Sequence, residues 1–153
     1  VWLREKGFRY DVVEAVLKVR GDNPYMAQES AAMLQKWVER EDWPSVLNAY
    51  GRCYRIVREF DERFPIDPAA FTEGSSERLY SAYLACRERV DGDATVDELL
   101  AAFVPMIQPI NVFFDEVLVM DPDPALRQNR LGLLQRIAAL TDGIVDLSQL
   151  EGF

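Results

Sequence analysis

The run PSVLNAYGRCYRIVREFDER, residues 44–63, decides how this chain is read. Placed at about 100° per residue, Val46, Ala49, Cys53, Ile56, Val57 and Phe60 fall within one arc of about 100°. Such an arc is the core-facing stripe of an amphipathic helix, and the strict alternation of a half-buried strand is nowhere sustained along the chain. The opposite side carries Asn48, Arg52, Tyr54, Arg55 and Arg58, so polar and aromatic groups share the outer face. Phe64 followed by Pro65 predicts the end of this helix at Arg63, because a proline disfavours helical geometry in the residue before it.

Helical signals continue outward on both sides. Upstream, Tyr10 to Val19 predicts a short helix closed by Gly21, and Asn23-Pro24 predicts a cap and first turn for a helix reaching about Arg40. Met26, Met33, Leu34, Trp37 and Val38 form its apolar face. Downstream, Asp67 caps a short turn at Pro68–Phe71, and Gly74-Ser75-Ser76 precedes a helix over Glu77–Val90. Asp91-Gly92-Asp93 is a loop. Thr95 with Glu98 has capping-box spacing and opens a helix through Phe103, kinked by Pro105 and Pro109 and resuming to Val119. Asp121-Pro122-Asp123-Pro124 makes a rigid turn, and a final helix runs toward Asp146 with Gly143 as its weak point. The expected fold class is all-α, a helical bundle of about six to eight helices.

With 153 residues and 49% hydrophobic content the chain can bury a sizeable core. It has no run of about 18 apolar residues and no basic stretch preceding an apolar one, which predicts neither a membrane span nor a secretory signal and suggests a cytoplasmic location. Cys53 and Cys86, 33 positions apart, read as two buried thiols. A helix beginning almost at Val1 suggests a piece of a longer polypeptide. The formal charge is −9, which on its face argues against nucleic acid, DNA included, where a basic footprint is expected. Its distribution is uneven: Ser45–Arg58 and Pro124–Thr141 each hold three arginines and no acid, leaving 11 basic against 26 acidic residues elsewhere.

Histidine is absent, as are a glycine-rich phosphate loop, a Walker lysine and a nucleophile elbow, so no catalysis is expected from these residues. The carboxylates read as helix caps and solvated surface. Arg52, Arg55 and Arg58 with Tyr54 are groups of the kind that pair with phosphate and stack on bases. Periodicity alone favours a plainer reading, in which those arginines pair with Glu59, Asp61 and Glu62 on a solvated face. In the last helix, Leu126, Leu133, Leu134, Ile137 and Leu140 form the apolar side and Arg130 falls in their middle. A core-facing arginine needs a carboxylate, and Asp115 is the expected partner. Arg127 and Asn129 lie at the flanks, where they would reach a ligand.

At these residues the sequence resembles the C-terminal part of the bacterial glycyl-tRNA synthetase beta subunit. Phe113-Phe114-Asp115-Glu116-Val117-Leu118-Val119-Met120 followed by Leu126-Arg127-Gln128-Asn129-Arg130-Leu131 is similar to that family's FFD-x-V-x-VM loop and LR-x-NRL helix. Tyr10-Asp11-Val12-Val13-Glu14-Ala15-Val16-Leu17 is similar to its YDV-[IV]-[DE]-AVL segment, and Ala49-Tyr50, Arg52 and Arg55-Ile56 to its central helix. Where the family tends to carry an Asn-Lys-Arg cluster, this chain has Tyr50-Gly51-Arg52. The resemblance implies residues 1–42 as the end of a preceding part of the subunit and 43–153 as a helical anticodon-binding domain of the DALR type. It implies glycine tRNA as partner, held by its anticodon arm through Arg52, Tyr54, Arg55, Arg58, Arg127 and Asn129, with Asp115 and Arg130 structural. It further implies assembly with the alpha subunit in a heterotetramer, and ATP and magnesium in the alpha part rather than here. The rival reading is a helical module that only docks subunits.

Overall fold

A computed structural model describes residues 2–71 and 74–153; Val1, Thr72 and Glu73, which the expected domain boundaries include, lie outside the described residues. The protein is all-helical, with no strand among the described residues. In chain order the helices are α1 (Trp2–Glu5), α2 (Tyr10–Arg20), α3 (Pro24–Val38), α4 (Trp43–Val57), α5 (Gly74–Arg89), α6 (Val96–Phe103), α7 (Ile107–Glu116) and α8 (Pro124–Ala138). Short 3₁₀ turns occupy Pro68–Ala70, Val104–Met106, Ala139–Thr141 and Leu147–Gln149.

The starts follow local chemistry. Asn23 accepts from the Met26 amide ahead of Pro24, Asp123 accepts from the Ala125 amide ahead of Pro124, and Thr95 with Glu98 closes a reciprocal capping box. The ends depart from expectation. α4 stops at Val57, about a turn and a half before Arg63, and α8 stops at Ala138, well short of Asp146. Beyond Val57 come Glu59, Asp61 and Glu62, whose charge opposes the negative end of the helix dipole. The chain there is instead held across α8: Gln135 accepts from the Phe64 amide at 2.9 Å and donates to the Glu62 carbonyl at 2.8 Å. After α8 the backbone tightens into the 3₁₀ turn at Ala139–Thr141 and reverses at Gly143, whose φ of 78° suits glycine. α7 also ends early, at Glu116, with Val117 extended.

α4 lies along α8, α2 against α3, and α5 against α7. The buried face of α4 is wider than the arc read from sequence, because Leu47, Tyr50 and Gly51 are buried as well while Ile56 is only half-buried. The Tyr50 hydroxyl donates to the Ala138 carbonyl at 2.8 Å and lies 2.9 Å from the Thr141 hydroxyl, tying α4 to the end of α8. The continuous helical stretch Val96–Glu116 is, at 21 residues and a mean hydropathy of 1.3, long and apolar enough to cross a membrane by length and composition. Its Leu99, Leu100, Phe103, Ile110 and Phe113 are nevertheless buried, and its segments pack on α3, α4 and α5, which accounts for its hydropathy as that of a core helix.

Candidate functional site

The outward face of α4 divides into two settings. Arg52 reaches α7, where its guanidinium lies 4.5 Å from the Phe114 ring centroid and donates to Asn111 Oδ1 at 3.2 Å. Arg55 lies 5.5 Å from the Phe153 ring, which also meets Tyr54 edge-on at 5.1 Å. Each guanidinium thus lies beside an aromatic ring, and Arg52 spends one N–H on Asn111. Neither arginine pairs with Glu59, Asp61 or Glu62 among the described ion pairs, so the plainer sequence reading does not describe them.

Arg58 is exposed and sits with Tyr54 at a cleft of about 690 Å³ between the end of α4, the 60–63 segment and the chain after α8. Lys18, Arg58 and Arg63 line it together with Asp61, Glu62, Asp142 and Asp146. Four carboxylates against three cations make it a weak anion trap, whatever its size. Cys53, on the buried side of α4, has its thiol pushed up to about 12 by burial, with Arg52 acting in the opposite direction, so it is no nucleophile at neutral pH.

At α8 the structure corrects two expectations. Asn129 is buried and its amide is engaged: Oδ1 accepts from the Asp67 amide at 2.7 Å and Nδ2 donates to the Asp67 carbonyl at 3.1 Å. It therefore pins the 58–71 segment rather than reaching for a ligand. Arg130 is 6% exposed and donates to the Leu118 carbonyl at 2.7 Å, with the Asp121 carboxylate 3.4 Å away. Asp115, the carboxylate expected to meet it, is exposed at the end of α7. The physical reason is that Val117 leaves the helix, which carries the following loop, not α7, over Arg130. Arg127, half-buried, donates to the carbonyls of Asp121 and Pro122 at 3.0 and 3.4 Å and so braces the proline turn. The structure thus gathers Tyr54 and Arg55 around Phe153, puts Arg52 on Phe114, and assigns Arg127 and Asn129 backbone partners of their own.

Sequence reasoning passed over Arg63, Arg87 and Arg136, which line a second cleft of about 430 Å³. They belong to a loop and two helices far apart in sequence, so no periodicity joins them.

No protein-family model matches the chain. Individual proteins do. Over 153 residues it is 34% identical to the chloroplastic/mitochondrial glycine–tRNA ligase 2 of Arabidopsis thaliana, a match covering 99% of this chain and 14% of that protein. It is 36% identical over 151 residues to the glycine–tRNA ligase beta subunit of Moorella thermoacetica, covering 97% of this chain and 22% of that one. The beta subunit of Lacticaseibacillus casei is 34% identical over 149 residues, with 97% and 21% covered. The chain spans between 14% and 22% of the length of these three relatives.

Proposed function

This chain is homologous along nearly its whole length to a segment of glycine–tRNA ligase beta subunits, and from that premise we propose that it is the tRNA-holding, C-terminal region of such a subunit. It contributes binding energy on the anticodon arm of glycine tRNA and carries out no chemistry of its own. The carrying observation is the identity of 34–36% over at least 97% of the chain. The division into a preceding segment, 1–42, and a DALR-type domain, 43–153, belongs to the same proposal, as does a cytoplasmic enzyme assembled with an alpha part. ATP and magnesium would be held by that alpha part.

In this reading Arg52 and Arg55 act as edges presented by planes. The Phe114 ring and the Asn111 amide hold the Arg52 guanidinium, so less side-chain freedom is lost when a phosphate oxygen docks on it, while Arg55, 5.5 Å from the Phe153 ring, keeps a mobile end. Arg58 supplies an exposed charge, and Tyr54 an aromatic surface at the cleft. Replacing Arg55 and Arg58 together by glutamate should weaken binding of glycine tRNA at least tenfold, about 1.4 kcal/mol, with unchanged helicity. Equal affinity in the double variant would refute the assignment.

One observation favours a docking role as a second reading. Just after α7, Val117 and Val119 are buried while Leu118 and Met120 are 62% and 49% exposed. Phosphate contacts lose affinity steeply with added salt, whereas an apolar docking face does not. Salt-sensitive tRNA binding supports the first reading; absence of tRNA binding at any salt supports the second.

A further inference from the structure

Three arginines line one cleft where α5 and α8 end. Arg87 is in the last turn of α5, Arg136 in the last turn of α8, and Arg63 on the loop that crosses between them. They line a polar cleft of about 430 Å³ against the buried ring of Tyr83. Asp91 and Asp142 also line it, so three cations accompany two carboxylates; Arg63 and Asp142 border the larger cleft too, which leaves Arg87 and Arg136 as the cations of this cleft alone. No ion pair links any of the three arginines to a carboxylate among the described residues. The Asp91 carboxylate is turned to the Asp93 amide, which it accepts at 2.8 Å. Arg63 lies near enough to Asp142 to oppose the upward push of burial on that carboxyl, without closing a contact.

Their hydrogen bonds are also few. Arg87 donates to the Val90 carbonyl at 3.4 Å, and Arg136 donates through one nitrogen to the carbonyls of Phe64 and Gly132, each at 3.0 Å. A guanidinium has five N–H donors, so most of this set is available. The two bonds of Arg136 fix its orientation, which makes it the rigid member, while Arg63 and Arg87 are exposed and can close on a ligand. In a chain of net charge −9, three incompletely bonded arginines lining one cleft suit an anion with several oxygens.

We infer that the cleft of Arg63, Arg87 and Arg136 binds a phosphate group of an RNA backbone, a contact separate from the α4 arginines. The inference rests on the tRNA-holding role for its source of phosphate, but the cleft chemistry stands by itself. A free phosphate offers the same oxygens as a nucleotide in a chain, so the test needs both.

The experiment uses the whole chain and its Arg63→Gln and Arg87→Gln variants, with thermal unfolding as the check on fold. Arg136 is left intact because its bonds to Phe64 and Gly132 support the backbone. Binding of a glycine tRNA transcript is measured across salt concentrations, and the arginine Nε–H resonances are followed by NMR during addition of inorganic phosphate. The expected result is a tenfold or greater loss of tRNA affinity in each variant, with the slope of log K against log salt reduced by about 0.7–0.9 per contact removed. Inorganic phosphate should shift the Arg63, Arg87 and Arg136 resonances at millimolar concentration. Wild-type binding of tRNA that both variants retain in full overturns the cleft inference and leaves the tRNA-holding role standing. If the wild type binds no tRNA, that role fails, and the phosphate titration alone decides the cleft: shifts at the three arginines make it a small-anion site, and their absence removes it.

Discussion

Replacing Gly132 by alanine should destabilise this protein, although the same change in a free helix would stabilise it by about 1 kcal/mol. Gly132 lies on the face of α8 crossed by the 64–66 segment. A Cβ there would stand 2.8 Å from the Phe64 carbonyl oxygen, 2.8 Å from Ile66 Cγ2 and 3.3 Å from the Pro65 carbonyl. The Ile66 methyl can rotate away, but the Phe64 carbonyl cannot. Arg136 donates to that oxygen at 3.0 Å, and Gln135 accepts from the Phe64 amide at 2.9 Å. Relieving the clash means lifting the segment off α8 and stretching those bonds. Overpacking costs about 1–3 kcal/mol and each of the two weakened hydrogen bonds about 1 kcal/mol, so a net loss on the order of 2–4 kcal/mol remains after the propensity gain of about 1 kcal/mol. For a chain of this size, at about 2–4 °C per kcal/mol, that is a fall of roughly 4–16 °C in Tm. The assay is thermal unfolding followed by far-UV circular dichroism, with Gly51→Ala as the contrast. There the new Cβ meets only the far end of Arg55, at 2.5 Å from Nη1, and a flexible side chain can move aside. Gly51→Ala should leave Tm unchanged or raised. A Gly132→Ala protein at least as stable as the wild type would refute the claim that backbone contact, not helix propensity, decides this position.

Other outcomes test separate parts of the structure. Tyr50→Phe removes the hydroxyl shared by the Ala138 carbonyl and Thr141, and chemical denaturation should show a loss of about 1–3 kcal/mol. Asp11 is affected first by burial, which raises its pKa, but hydrogen bonds from the Glu151 amide and Arg9 outweigh this and hold the carboxyl below its usual range. Its stabilisation is therefore present above the unfolded pKa of about 3.9 and lost as pH falls through the lower folded value. The stability gap between wild type and Asp11→Asn should accordingly narrow in acid; a gap that is constant from neutral pH to about pH 2 would contradict that carboxylate's role. Cys53 and Cys86, both raised by burial, should resist iodoacetamide in the native state and react on unfolding. Rapid native alkylation would show that the core opens.

Elements whose signals are local were legible in the sequence. Asn23-Pro24, Thr95 with Glu98, and Asp123-Pro124 fix helix starts, because a cap needs only residues within one turn of itself. The ends of α4 and α8 were not legible, since they depend on Gln135, Asn129 and Tyr50 holding chain from more than sixty positions away. The same distinction runs through the candidate site. Helix projection finds Arg52, Arg55 and Arg58 on the outer side of α4, but only packing shows the first two laid on Phe114 and Phe153. Projection places Asn129 at a flank, where an adjacent loop covers it and uses both ends of its amide.

By itself, then, the sequence determined the all-helical class, the starts of the helices that carry a local cap, and a resemblance resting on ordered motifs, while α5 begins at Gly74 and not at the expected Glu77. Apolar periodicity and capping act over a few residues, and likeness to relatives survives as residue order. Tertiary structure alone decided that Arg130 meets Asp121 instead of Asp115, and that Arg63, Arg87 and Arg136 share one cleft. Those arrangements depend on where a loop leaves a helix and which helix ends come together. Side-chain partners chosen across a core are set by the crossing of elements, and no spacing along the chain records it.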